Sequence, residues 1–210
     1  ENADIADFLF VALTGPDVRA GRPPRCADIP KGRERDFKNL QLITAKPVIY
    51  VCNVEEDSAA DGNDLSAKVA EKAAAEGAQA VIISARIEEE LAQLDDGERL
   101  EYLDTLGLAE PGLNRLIRQG YDLLELITYF TAGPKEARAW TIRRGTPAQQ
   151  AAGVIHTDFE RGFIRAETIG YEDYTRLNGE QGARDAGRLR QEGKDYVVQD
   201  GDVMLFRFNV

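Results

Sequence analysis

The chain has 210 residues, 43% of them hydrophobic and 30% charged, with a formal net charge of -11. That mix supports a real core and excludes a disordered tail, a collagen-like repeat or a low-complexity segment, while length alone allows one or two domains. No run of about 18 apolar residues is present and Glu1-Asn2-Ala3-Asp4 is not a basic leader, so no membrane partner is expected and the expected compartment is the cytoplasm.

Glu1 to Phe10 alternates acidic and apolar residues in a way compatible with a helix, which Gly15-Pro16 and Gly21 to Pro24 are expected to interrupt. Phe37, Leu40, Leu42 and Ile43 suit a short helix over 37–44. Val48 to Cys52 is a continuous apolar run, the pattern of a parallel strand buried on both faces. A helix is predicted over Asp64 to Glu76, with Leu65, Val69 and Ala73 at helical spacing and Gly77 as its stop. Ala80 to Ser84 is a second buried strand. Strand, helix and strand make a βαβ unit, whose ligand loops lie at the carboxyl ends of the strands, here Asn53 to Glu56 and Ser84 to Arg86.

Ile87 to Leu126 reads as helices broken at Asp95-Asp96-Gly97 and Gly107, with Pro111 at a helix start, covering a sheet. From Ile127 the pattern changes. Strands are predicted at 128–131, 137–143, 163–169 and 203–210, Thr146-Pro147 is expected to cap a helix, and Asp200-Gly201 is a hairpin-type turn signal. Residues 127–210 therefore suit a small α+β domain of short strands around one or two helices. Charge divides the same way: residues 1–126 hold 25 acidic and 14 basic side chains, 127–210 hold 12 of each, so only the second part is free to present a basic face.

Two cysteines and a single histidine give neither a disulfide framework nor a paired-ligand zinc site, and Cys52 inside the strand reads as an inert thiol. Asp57 to Gly62 fails as a calcium loop, with Ala59 at a ligand position and Lys68 where the closing Glu belongs. Glu88 to Glu90 and Asp95-Asp96 read as solvated helix faces. The candidate with most chemistry is Asn53-Val54-Glu55-Glu56. An amide at a strand end suits the N7/N6 edge of adenine by donating to one and accepting from the other, with Val54 offering apolar contact. The competing reading is a solvated acidic loop. His156 near Asp158 lacks a Ser or Cys nucleophile motif, so it reads as a structural or RNA-contacting residue, and no catalytic residue is assigned. Arg138, Arg143 and Arg144, with Arg184, Arg188, Arg190 and Lys194 beyond them, are candidates for a phosphate-binding face.

Four segments resemble the YchF, or Obg-like ATPase, family: Lys46-Pro47-Val48-Ile49-Tyr50-Val51-Cys52-Asn53-Val54-Glu55-Glu56, Thr128 to Gly133, Ala151 to Glu167, and Tyr196 to Val210. The similarity runs from about Gly21 onward. It implies an α/β Ras-like nucleotide-binding domain, incomplete here, followed by an α+β TGS domain of β-grasp fold. The boundaries it implies are 1–35 for the remnant of a helical coiled-coil insertion, 36–126 for the Ras-like part and 127–210 for the TGS domain. Asn53 and Glu56 would carry the family's Asn-x-x-Glu base-recognition motif, favouring ATP over GTP, with the second base loop at Ser84 and Ala85. ATP with Mg2+ would be the cofactors, the ribosome or its RNA the partner, and the protein a cytoplasmic monomer. One departure stands out. The family's phosphate loop, Gly-x-x-x-x-Gly-Lys-Ser/Thr, occurs nowhere in the 210 residues, and the sole Gly-Lys pair, Gly193-Lys194, is followed by Asp195. The chain is therefore expected to lack ATP hydrolysis on its own and to have no metal ligands. The alternative it leaves open is a non-enzymatic module that docks on RNA or protein.

Overall fold

The structure is a computed structural model that describes residues 14–209, so the helix expected over 1–10 lies outside the described residues, as does Val210. The chain divides into two compact units, Glu1–Leu123 and Leu124–Val210.

In the first unit residues 14–19 are helical (α1), so Gly15-Pro16 lies within helical residues rather than breaking them. The Pro16 carbonyl still accepts from the Ala20 N–H at 3.1 Å; a proline costs a helix its own donor, not its acceptor. The helix expected over 37–44 is split into α2 (Glu34–Asn39) and a 3-10 turn, Ile43–Ala45, because Gln41 adopts a left-handed backbone at φ 50.

Strand β1 (Ile49–Asn53) runs parallel to β2 (Gln79–Ile83), in register from Ile49 opposite Gln79 to Asn53 opposite Ile83. The crossover between them is α3 (Asp64–Ala75). Its start is a capping box: Asn63 Oδ1 accepts from Leu65 and Ser66 N–H, each at 3.0 Å, and Ser66 Oγ accepts from Asn63 N–H at 2.8 Å. Gly77 ends it at φ 63. Burial of both strand faces is not what the structure shows. Val51 is 46% exposed and Leu65 of α3 is 70% exposed. Among the described residues this sheet has two strands.

Helices α4 (Ala85–Leu91), α5 (Asp96–Thr105) and α6 (Gly112–Leu123) follow. The expected common sheet-covering role divides among them. Ile87, Leu91, Leu103 and Leu108 bury one another with Ala59, whereas α6 packs on β2. Gly112 fits that close approach, since a Cβ there would lie 3.0 Å from Ile83 Cγ2.

The second unit is a five-stranded mixed sheet of order β4-β3-β7-β5-β6. Its elements are β3 (Leu126–Ala132), β4 (Ala137–Arg143), α7 (Ala148–Ile155), α8 (Thr157–Arg161), β5 (Phe163–Gly170), α9 (Tyr171–Arg176), α10 (Glu180–Asp185), β6 (Arg190–Glu192) and β7 (Asp202–Phe208). The last strand lies at the centre, parallel to β3 and antiparallel to β5. Strand periodicity sends Ile127, Tyr129, Ile142, Met204 and Phe206 to one face, where the alanines of α7 allow close packing. Tyr129 is fully buried, donates its hydroxyl to the Ala151 carbonyl at 2.9 Å and meets Phe206 edge-on at 5.9 Å.

Two local expectations are corrected. Asp200-Gly201 makes a turn, with Gly201 at φ 82, but not a hairpin: β7 pairs with β3 and β5, and Asp200 Oδ1 accepts from Thr128 N–H at 2.8 Å. Thr146 donates to the Arg143 carbonyl at 2.6 Å instead of capping α7. Val203, on the face of β7 opposite Met204, is also buried, because α9 packs over that side.

Candidate functional site

The two candidate loops of the first unit are held together at the carboxyl ends of the parallel strands. Past the last register pair the ladder continues, Val54 N–H donating to the Ile83 carbonyl at 2.9 Å. Helix α4 then opens at Ala85, and its N-cap residue, Ser84, supplies no side-chain cap. Asn53 fills that role from the neighbouring strand: its Oδ1 accepts from the Ala85 N–H at 2.9 Å, satisfying one of the orphan donors of the helix start. At the next residue, Arg86 Nε sits 2.7 Å from Glu56 Oε1 and 3.8 Å from Glu90 Oε1, and Glu90 in turn accepts from the Tyr102 hydroxyl. That bond, with burial second, raises the Tyr102 phenol above its ordinary value.

The geometry alters the roles expected of these residues. Asn53 was expected both to donate and to accept. Its oxygen is engaged by Ala85, so its amide N–H groups are what it offers a ligand, and Glu56 is the partly exposed acceptor beside it. Val54 is buried, which removes the open apolar contact expected of it. Ser84 is buried and its hydroxyl has no hydrogen-bond partner, a polar group turned inward at the hinge between the loops.

Arg138 and Arg143 do not share one face of β4. In the unbroken register of β4, Arg138 shares a side with Trp140 and Ile142, and its guanidinium lies 4.2 Å over the Trp140 ring. Arg143, five residues on, points to the opposite side. Arg144 lies past the strand end, its N–H donating to the Glu125 carbonyl at 2.6 Å. His156 caps α8: Nδ1 accepts from the Asp158 N–H at 3.1 Å, so this nitrogen is not the donor in any bond to the Asp158 carboxylate, 3.4 Å away.

Two clusters escaped sequence reasoning. At the end of α3, Glu76 accepts from Arg25 at 2.6 Å, Tyr50 at 2.8 Å and Lys72. Those bonds, Lys72 first, hold its carboxyl at about 2. In the second unit, Arg165, Arg184 and Arg207 surround Glu167; the signal available was parity, Arg165 and Glu167 sharing one side of β5. Among the described residues no cluster of three His, Cys, Asp or Glu stands ready for a metal ion. Nor is any helix among them long and apolar enough to cross a membrane.

A parallel βαβ unit with paired loops at its strand ends, together with a mixed sheet packed by helices, defines an α/β protein. Residues 126–209 match the family model YchF-GTPase_C, described as a protein of unknown function (DUF933). The chain is 56% identical over 186 residues to the ribosome-binding ATPase YchF of Haemophilus influenzae, covering 89% of this chain and 51% of that protein. It is 51% identical over 208 residues to the protein of the same name in Bacillus subtilis, covering 98% and 57%. The solved structure of the Schizosaccharomyces pombe YchF GTPase superposes with a TM-score of 0.79 at 36% identity, covering 90% of this chain and 50% of that one. The chain belongs to the YchF family and resembles its C-terminal portion. It spans about half the length of the curated relatives it matches.

Proposed function

We propose that this chain is the base-reading and docking part of a ribosome-associated ATPase, its first unit part of a Ras-like domain and its second a β-grasp TGS domain. The observation that carries the reading is the joining of two strand-end loops by Asn53 to Ala85 and Glu56 to Arg86, which presents amide donors beside a carboxylate acceptor. Purine N7 takes a donor. The substituent at C6 separates the bases: the adenine amino group donates to a carboxylate, whereas the guanine carbonyl is repelled by it. A carboxylate at this edge therefore favours ATP over GTP. The strand order supports the β-grasp assignment, with the last strand central and parallel to the first of its unit. Relatives named ribosome-binding ATPases support the ribosome as partner; a cytoplasmic setting and a monomeric state belong to the same proposal.

No phosphate loop occurs in the 210 residues, so hydrolysis and its Mg2+ belong to a phosphate-handling segment outside them, and the chain alone is inactive. Titration with ATP and GTP tests the reading. ATP-selective binding that Asn53→Ala and Glu56→Ala each weaken supports it; equal affinity for both nucleotides, or binding indifferent to both substitutions, refutes base selection at this edge. The second reading, docking without nucleotide, is favoured by the missing phosphate loop. It predicts ribosome cosedimentation unchanged by ATP.

A further inference from the structure

On the sheet face of the second unit that is turned away from α7, two features adjoin. Phe130 and Ala132 of β3 with Ala137 and Ala139 of β4 form a floor, and Tyr171 and Tyr174 of α9 wall a cavity of about 370 Å³. The floor is small-sided and the wall aromatic. Tyr171 is 53% exposed, and its ring centroid lies 5.5 Å from that of Phe130 in a tilted contact. A half-exposed tyrosine beside a second aromatic ring, at a cavity, suits a planar guest.

Beside it is the arginine cluster. Glu167 is buried, 6% exposed, and accepts from Arg207 Nη2 at 3.0 Å, with Arg165 and Arg184 guanidinium nitrogens each 3.7 Å away. Arg184 also pairs with Glu180 at 2.7 Å. Three guanidinium groups carry about fifteen N–H donors against about eight lone pairs on two carboxylates, so donors are in surplus and the cluster is net positive. Arg165 and Arg207 are moreover direct cross-strand partners, an arrangement that repels. One carboxylate fixes them in place without neutralising them, and their side chains remain 44–47% exposed. Ala132, Tyr174 and Val203 line both the aromatic cavity and the hollow beside Glu167, so the two features are continuous.

We propose that this face binds an unpaired segment of RNA, a base stacking on Tyr171 in the cavity and the adjoining phosphodiester lying on Arg165, Arg184 and Arg207. Charge complementarity selects a polyanion, and the aromatic cavity selects one that carries planar bases. The inference rests on the ribosome-docking reading and names its surface. Arg138 lines the same cavity, and strand parity puts Arg143 on this face of β4 with Ala137 and Ala139, whereas Arg144 lies past the strand end.

The test is fluorescence anisotropy of a short labelled oligouridylate, read between about 50 and 200 mM salt, with ribosome cosedimentation in parallel. Tyr171→Ala weakens oligonucleotide binding about tenfold or more, while Tyr171→Trp retains it. Arg165→Gln with Arg184→Gln leaves the Arg207–Glu167 bond intact and lowers the slope of log affinity against log salt by about 0.7 per lost phosphate contact. Circular dichroism establishes that each variant is folded. Failure of the oligonucleotide to bind, equal binding by these variants and the wild-type protein, or competition by free uridylate at the same concentration of nucleotide units overturns the proposal. Cosedimentation that survives all of these substitutions rejects this surface and leaves ribosome docking standing; a wild-type protein that does not cosediment rejects the docking reading itself.

Discussion

Replacing Asn53 separates two roles that one side chain performs. Its oxygen accepts from the Ala85 N–H at 2.9 Å, and Ser84 provides no cap of its own, so Asn53→Ala leaves the first turn of α4 short of an acceptor. Loss of a helix-start acceptor costs about 1 kcal/mol, which opens the Ala85 amide about fivefold more often. Asn53→Asp keeps the acceptor and places negative charge at a helix N-terminus, where it is favourable by about 0.3–1 kcal/mol. It removes the two amide N–H donors. Amide hydrogen exchange at Ala85 reads the first role, and ATP titration the second. The alanine variant is expected to lose both protection and binding. The aspartate variant keeps protection and loses nucleotide affinity by about fivefold to thirtyfold, the worth of one or two hydrogen bonds. Unchanged Ala85 protection in the alanine variant would refute the capping role. An aspartate variant that binds ATP normally would refute donation from the amide.

Tyr129→Phe retains the buried ring and deletes its bond to Ala151, costing about 1 kcal/mol, whereas Tyr129→Ala costs about 3–5 kcal/mol. Trp140, the single tryptophan, packs against that core, so denaturant titration by its fluorescence reports on the second unit selectively. Gly162→Ala would set a Cβ 2.1 Å from the Asn209 carbonyl oxygen, a backbone atom that cannot rotate away; a loss of about 1–3 kcal/mol by the same readout is expected, and none would contradict the close approach. The Glu76 carboxyl titrates near 2 in the folded chain, below its ordinary 4.5, so its bonds to Lys72, Tyr50 and Arg25 stabilise the first unit above about pH 4.5 and are lost as pH falls toward 2. Glu76→Gln is therefore destabilised relative to wild type at neutral pH, and the two melting curves converge in acid; a gap that persists at pH 2 would argue against ionic pairing there.

Much of the candidate site was legible because its signals are local. A strand, a crossover and a second strand imply loops at their carboxyl ends, and Asn53 to Glu56 and Ser84 to Arg86 lie there. What each atom does there was not legible. The Ala85 N–H reaches Asn53 across 32 residues, and that one contact turns a proposed two-way base reader into a cap with donors to spare.

The sequence by itself determined the elements whose residues report their own backbone: the strand at β4, helix α3 from the spacing of Leu65, Val69 and Ala73, and its stop at Gly77 with a positive φ. Family membership was equally readable, since long motifs such as Ala151 to Glu167 are carried by residue identity alone. Tertiary structure alone decided which side chains share a surface. Arg138 and Arg143 are close in sequence yet strand parity sends them apart, while Arg165, Arg184 and Arg207 converge because β5, α10 and β7 meet around one buried carboxylate. It also decided that Val51 and Leu65 stay exposed, since burial depends on what packs against a face and not on how apolar the residue is.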